Sequence, residues 1–290
     1  MGILHRVLSP AKINLFLKVL RKRDDGYHDI VSVMQPISLY DEILIEMENG
    51  SDIIVSCDNA NVPCDRTNLA YRAAVEFFRT TGINRRLSIT IKKNIPVAAG
   101  LGGGSSNAAA VLRALNEITS QNISTDNLIE IGAGIGSDVP FFIVGKSCIA
   151  RGRGESLEPI ELPKFWYILI NPGFPVSTQW AYQNLNLTKS NEDINIALLK
   201  VSLEDHVVGI RQWQGLLAND LEEVTIGKHP EIKEIKDAMS AVGATGALMS
   251  GSGPTVFGIF PDKDKAEEAF GLLKGAFKQK RYIVFLAQGI

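Results

Sequence analysis

Residues 96–110 read PVAAGLGGGSSNAAA. Glycine at 100, 102, 103 and 104, with only Leu101 between, permits positive φ and close approach of a ligand to the backbone. Ser105, Ser106 and Asn107 follow, where the first turn of a helix leaves amide N–H groups unpaired and its dipole favours an anion. A polyphosphate held by backbone N–H groups is the expected ligand. The stretch is not a Walker loop, because Gly145-Lys146-Ser147 has Pro140 where the earlier glycine must stand. It is not the dinucleotide fingerprint either, since Gly100 and Gly102 lead to Ser105. Two single residues add chemistry. Asp138, in GSDVPFF, suits orienting or deprotonating a hydroxyl during phosphoryl transfer, and equally suits capping a turn or helix. Lys12, in SPAKINLFL, suits keeping a carboxylate ionised and offsetting phosphate charge, unless it is a solvated strand lysine.

The elements that must hold these residues show in the periodicity. In AKINLFLKVL, residues 11–20, Ile13, Leu15, Leu17 and Val19 alternate with Lys12, Asn14, Phe16 and Lys18, which predicts a strand with Lys12 and Asn14 on one face. A loop around Gly26 follows, then short strands near 43–47, 53–56 and 87–92. Leu69, Ala70, Ala73, Ala74, Phe77 and Phe78 form a helical stripe after Asp65 or Thr67. A second helix is predicted over 105–119 and a third over 125–132, with Gly132, Gly134 and Gly136 read as a loop ahead of Asp138. Residues 152–165, with Pro159 and Pro163, read as a crossover between halves. Beyond it come a strand at 166–170 and helical segments near 178–184 and 194–201. A helix at 231–242 precedes strands at 247–250 and 255–260, a helix at 263–277 and a strand at 282–287. Without the extra helices the order is β-α-β-β-α-β, the ferredoxin-like arrangement, which sets domains at 1–155 and 156–290.

Composition narrows the function classes. The 290 residues are 45% hydrophobic with a net charge of −2, which excludes a disordered chain and disfavours a nucleic-acid binder. No apolar run reaches the length of a membrane span, and MGILHRVLSPAKINL does not read as a signal peptide. Three cysteines, Cys57, Cys64 and Cys148, do not make a disulfide framework, so a reduced cytoplasmic protein is expected. Cys148 is expected to pack rather than react. The histidines 5, 28, 206 and 229 show no HxxxH spacing, which disfavours a zinc enzyme.

Three stretches together resemble a known family. PxxxGLGGGSSNAA resembles the ATP loop of the GHMP small-molecule kinases, SPAKINLFL their first motif, and GALMSGSGPTVFGIF, residues 246–260, their third. The three lie in order from residue 9 to residue 260. SPAKINLFLKVLRKRDDGYHDI and GSDVPFF further resemble the branch whose acceptor is a cytidine-diphosphate-linked methylerythritol. The resemblance implies an α+β fold, with a ribosomal-S5-domain-2-like N-terminal domain and a ferredoxin-like C-terminal domain. It implies Asp138 as base and Lys12 as its catalytic partner. For ATP it implies the loop Pro96, Val97, Ala98, Ala99, Gly100, Leu101, Gly102, Gly103, Gly104, Ser105 and Ser106, with Asn68 and Lys93 flanking the adenine. Mg²⁺ is expected with the ATP, with no carboxylate cage visible for it. For the acceptor it implies that Asn14 bonds the diol, Tyr27 stacks on cytosine, His28 bonds the base edge and Tyr182 closes the other side. The expected partners are small molecules, without nucleic acid or membrane, for a monomer or homodimer. A GHMP kinase for homoserine, mevalonate or a sugar, and a nucleotide sensor without catalysis, are the competing readings. The DGYH segment argues against the first and the presence of Lys12 and Asp138 against the second.

Overall fold

The computed structural model describes residues 3–187 and 215–290. The helical segment expected near 194–201 lies outside them. Two compact units share the chain, which passes between them several times. Of the described residues, unit 1 takes those up to Ala11, Leu39–Val97 and Gly102–Gly145; unit 2 takes Lys12–Ser38, Ala98–Leu101 and those from Lys146 on. Two long strands, β1 (Ile3–Lys22) and β2 (His28–Glu48), contribute to both.

In unit 1 the C-terminal half of β2 pairs antiparallel with β4 (Arg86–Lys92), with Glu42 opposite Lys92. On its other side β4 pairs parallel with β3 (Ile53–Cys57). Four helices complete the unit: α1 (Leu69–Thr81), α2 (Gly103–Ile118), α3 (Thr125–Ala133) and α4 (Val139–Val144). Helix α1 starts where the Asn68 side chain accepts from the Ala70 amide, and stops at Gly82, whose φ of 70° ends the helix. Its Ala70, Ala73, Ala74 and Phe77 are buried, as the stripe predicts, and it packs on α2. Burial of the Phe77 ring alone contributes about 1.5–3 kcal/mol. Gly132 is not in a loop; it lies inside α3, where an added Cβ would come 2.9 Å from Val139 Cγ1. Its small size lets α3 and α4 pack closely.

In unit 2, β5 (Cys148–Gly152) pairs antiparallel with the N-terminal half of β2 and with β6 (Ser156–Pro159). The segment at 152–165 is therefore more than a crossover: it turns a hairpin before leaving. The β2 strand also starts well before the expected 43–47. Residues 30–37 are buried throughout, so the stretch shows none of the alternation that marks a half-exposed strand. The second sheet has β7 (Trp166–Asn171), β9 (Ala247–Met249), β10 (Val256–Phe260) and β11 (Ile283–Gln288) in the order β11-β7-β10-β9, all antiparallel. This is the expected ferredoxin-like order. Helices α5 (Thr178–Gln183), α6 (Asp220–Lys228), α7 (Glu231–Ala241) and α8 (Lys263–Ala276) accompany it, and the short β8 (Ala218–Asn219) pairs parallel with β1. The core of this part gathers Ile168, Ile170, Ile232, Ile235, Met239, Val256 and Phe260. Cys148 is fully buried, and desolvation pushes its thiol up to about 11, so it packs as expected.

Candidate active site

Unit 2 holds Lys12, Asn14, Tyr27, His28, Ala98–Leu101 and Tyr182. Lys12 is not a solvated strand lysine: it is 5% exposed. Its backbone N–H donates to the Leu101 carbonyl at 3.0 Å, and its ammonium donates to Asn14 Oδ1. The Asn14 Nδ2 donates to Ser32 Oγ at 2.8 Å, and Ser32 Oγ donates to the Phe16 carbonyl at 2.7 Å. The face shared by Lys12 and Asn14 is thus buried, and the Asn14 amide is engaged at both ends.

The turn SGSGP at 250–254 closes on the same residues. Ser250 Oγ accepts from the Asn14 backbone at 3.3 Å and donates to the Gly100 carbonyl at 3.0 Å. Gly251, at φ 56°, leaves so little room that an added Cβ would lie 3.2 Å from Asn14 Oδ1 and 3.5 Å from Lys12 Nζ. Asn219 Nδ2 donates to the carbonyls of Met249 and Gly251, both at 2.7 Å. First and third sequence motifs therefore meet around Gly100.

Tyr27 and His28 sit where the loop at 23–27 enters β2. Asp25 accepts from the Tyr27 amide at 3.1 Å, which holds its carboxyl below the usual range and fixes the turn. Tyr27 is 57% exposed, with the Arg153 guanidinium 5.0 Å from its ring centre. His28 stacks on Tyr182, centroids 5.0 Å apart and rings inclined by 27°. Burial, with help from the Lys22 charge, lowers the His28 pKa, which favours the neutral ring. Sequence reasoning missed Arg153 and Ser32, because periodicity places a residue on a face without showing its partner.

Unit 1 holds Asn68, Lys93, Pro96, Val97, Gly102–Ser106 and Asp138. Gly102 caps α2 in the left-handed conformation, at φ 70°, with no side-chain hydrogen bond to the first-turn amides. Ser106 is buried and receives the Ser9 hydroxyl at 2.7 Å. Asp138 takes the N-cap position of α4 at φ −89° without making a side-chain cap there. The segment before it runs beside α2, since a Cβ on Gly136 would lie 3.7 Å from Ser105 Oγ. Asn68 is committed to capping α1 and to the Pro63 carbonyl at 2.7 Å. Lys93 pairs with Asp41 inside the unit. Asp41 is a third residue that sequence reasoning missed: a single acid in SLYDEILIE carries no local mark of its burial. Among the described residues, no three His, Cys, Asp or Glu side chains gather as a metal site. None of the described helices is long and apolar enough to cross a membrane.

The family described as GHMP kinases N terminal domain matches residues 68–146, and GHMP kinases C terminal matches 207–278. A 4-diphosphocytidyl-2-C-methyl-D-erythritol kinase from Syntrophus aciditrophicus is 48% identical over 266 residues, 91% of this chain and 92% of that protein. This chain belongs to the 4-diphosphocytidyl-2-C-methyl-D-erythritol kinase family. A crystal structure of a 4-(cytidine 5'-diphospho)-2C-methyl-D-erythritol kinase superposes with a TM-score of 0.82 at 33% identity, over 99% of this chain and 100% of that one. Homoserine kinase from Cytophaga hutchinsonii, at 19% identity and a TM-score of 0.75, covers 99% of this chain and 94% of its own, and shows the shared fold. As a member of this GHMP kinase family the chain is an ATP-dependent kinase acting on a small molecule.

Proposed function

We propose that the chain transfers the γ-phosphoryl group of ATP to the 2-hydroxyl of 4-diphosphocytidyl-2-C-methyl-D-erythritol. The products are the 2-phosphate and ADP, in the non-mevalonate route to isoprenoid precursors. The observation that carries this reading is the aromatic group in unit 2: exposed Tyr27 beside Arg153, and His28 stacked on Tyr182. A flat, hydrogen-bonding base suits such a surface, and stacking contributes about 1–3 kcal/mol per base. Homoserine, mevalonate and galactose carry no flat aromatic base that would use it.

Phosphoryl transfer asks for positioning and charge neutralisation more than for covalent chemistry. Asp138 is the group that orients or accepts the hydroxyl proton. Lys12, held by Asn14, offsets negative charge developing on the phosphate and the attacking oxygen. The loop Pro96–Ser106 receives the triphosphate on backbone N–H groups, and the uncapped first turn of α2 supports that part. Asn68 and Lys93 flank the adenine. Both side chains are already committed within unit 1, so they contribute shape more than new hydrogen bonds. Asn14 bonds the diol, Tyr27 stacks on the cytosine, His28 bonds its edge and Tyr182 backs it. Magnesium accompanies the ATP in this reading, as it does in phosphoryl transfer generally. It would supply positive charge that offsets the phosphates of the nucleotide. Residues 1–155 serve as the domain with the ATP loop and catalytic residues, and 156–290 as the ferredoxin-like C-terminal domain, of a cytoplasmic monomer or homodimer with no nucleic-acid or membrane partner.

The test is Asp138→Ala. Loss of a positioned base lowers turnover by about 10²–10⁴-fold, while Mg-ATP binding persists. Unchanged turnover would remove Asp138 from the mechanism.

A further inference from the structure

We infer that Asp41 is a positioning residue for the ATP loop, an inference that rests on the kinase reading above. The carboxylate is fully buried in β2 and faces four donors. Its Oδ1 accepts from the backbone N–H groups of Asn94 at 2.9 Å and Ile95 at 2.8 Å. Its Oδ2 accepts from Asn107 Nδ2 at 2.9 Å and from the Lys93 ammonium. Asn94 and Ile95 lead directly into Pro96, where the loop begins, and Asn107 lies in α2, just past where it ends. One carboxylate therefore ties both ends of the glycine-rich segment within unit 1.

The rest of the cluster reinforces the same point. Asn107 Nδ2 also reaches Ser9 Oγ at 3.0 Å, and Ser9 Oγ donates to Ser106 Oγ at 2.7 Å. The Lys93 side chain is 4% exposed, and a Cβ on Gly103 would lie 2.9 Å from its ammonium. The cation thus sits directly under the first residue of α2. A positive charge at a helix N-terminus opposes the helix dipole, and Asp41 offsets it. The arrangement sets where the first-turn N–H groups point without Asp41 touching the nucleotide. Lys93, Asn94, Ile95 and Asn107 share this one acceptor, so their geometry is lost together when it goes.

The experiment uses the full chain, with Asp41→Asn and Asn107→Ala as variants. Direct Mg-ATP binding, the KM for ATP and the KM for the cytidylated alcohol are measured beside a thermal melt. Asp41→Asn should weaken Mg-ATP binding and raise the ATP KM by about tenfold or more, with the alcohol KM within about twofold. A purely structural defect lowers the amount of folded enzyme and so the maximal rate, but leaves both KM values in place. Unchanged ATP affinity in a folded Asp41→Asn protein, or equal increases in both KM values, would overturn the inference. Should that variant not fold, Asn107→Ala keeps the Asp41–Lys93 pair and cuts only the tether to α2. It should raise the ATP KM about threefold or more, and no change would likewise overturn the inference. Absence of phosphoryl transfer by the wild-type protein would refute the acceptor assignment alone, because Mg-ATP binding to the variants still reports on Asp41.

Discussion

Replacing Gly100 by Ala perturbs the place where the ATP loop meets the SGSGP turn. Gly100 has φ 77°, and an added Cβ would fall 3.1 Å from the Gly253 nitrogen and closer still to the Ser250 carbonyl oxygen. A real Cβ does not approach a backbone atom within 3.0 Å, so residues 98–101 and 250–253 must part. Holding Ala in the left-handed region costs about 1–2 kcal/mol. Parting the segments weakens Ser250 Oγ to Gly100 O, and the added carbon pushing on Ser250 O weakens its bond from Gly253 N, at about 1 kcal/mol each. The sum is about 3–4 kcal/mol, which at roughly 2–4 °C per kcal/mol lowers the melting temperature by roughly 6–16 °C. A shift of about 1 Å in groups that position a substrate costs about 10²-fold in rate. The assay is kcat/KM for ATP with a melt on the same sample. Gly82→Ala is the control: φ is 70° there too, but nothing lies within 4 Å of the added carbon. It should carry only that backbone cost of about 1–2 kcal/mol and leave kcat/KM for ATP unchanged. Equal effects from the two substitutions would refute the packing of the turn on the loop.

Two further outcomes concern the acceptor side. Tyr27→Ala removes a stacking surface of about 1–3 kcal/mol, so the KM for the cytidylated alcohol should rise by about 5- to 150-fold while the ATP KM moves little; equal rises would end the stacking role. His28 has a pKa lowered from its ordinary 6.5, so the folded protein binds its proton less readily than the unfolded chain. The stability tied to this shift is complete above 6.5 and falls as pH drops through the folded value. Acceptor affinity should decline over the same range, and His28→Gln should flatten that decline; a profile identical to wild type would exclude His28 as its source.

Much of the site could be read from residue types and spacing, and the remainder fails for identifiable reasons. The start of α2 was legible because glycines followed by small polar residues have few other uses between a strand and an apolar helical stripe. The β-α-β-β-α-β order was legible because β7, β10 and α8 carry strong, uninterrupted patterns. The first half of β2 was hidden, since burial of Ser32 and Gln35 along with Val31 and Val33 erases alternation. Hairpin β5–β6 was hidden by Gly152, Gly154 and Pro159, which read as loop residues while β5 still pairs along Ile30–Met34. Lys12 and Asn14 were placed on one face correctly, but spacing could not show that the face is buried or that Ser32 holds the Asn14 amide. Asp41 was invisible for the same reason: its four donors come from residues 93–107, and only the fold brings them to it.

The most direct test of the central claim is ADP release from Mg-ATP with 4-diphosphocytidyl-2-C-methyl-D-erythritol, run beside homoserine, mevalonate and galactose. Turnover with the cytidylated alcohol alone is the predicted result. Turnover with another of the four, or none from a protein that binds Mg-ATP, would contradict it.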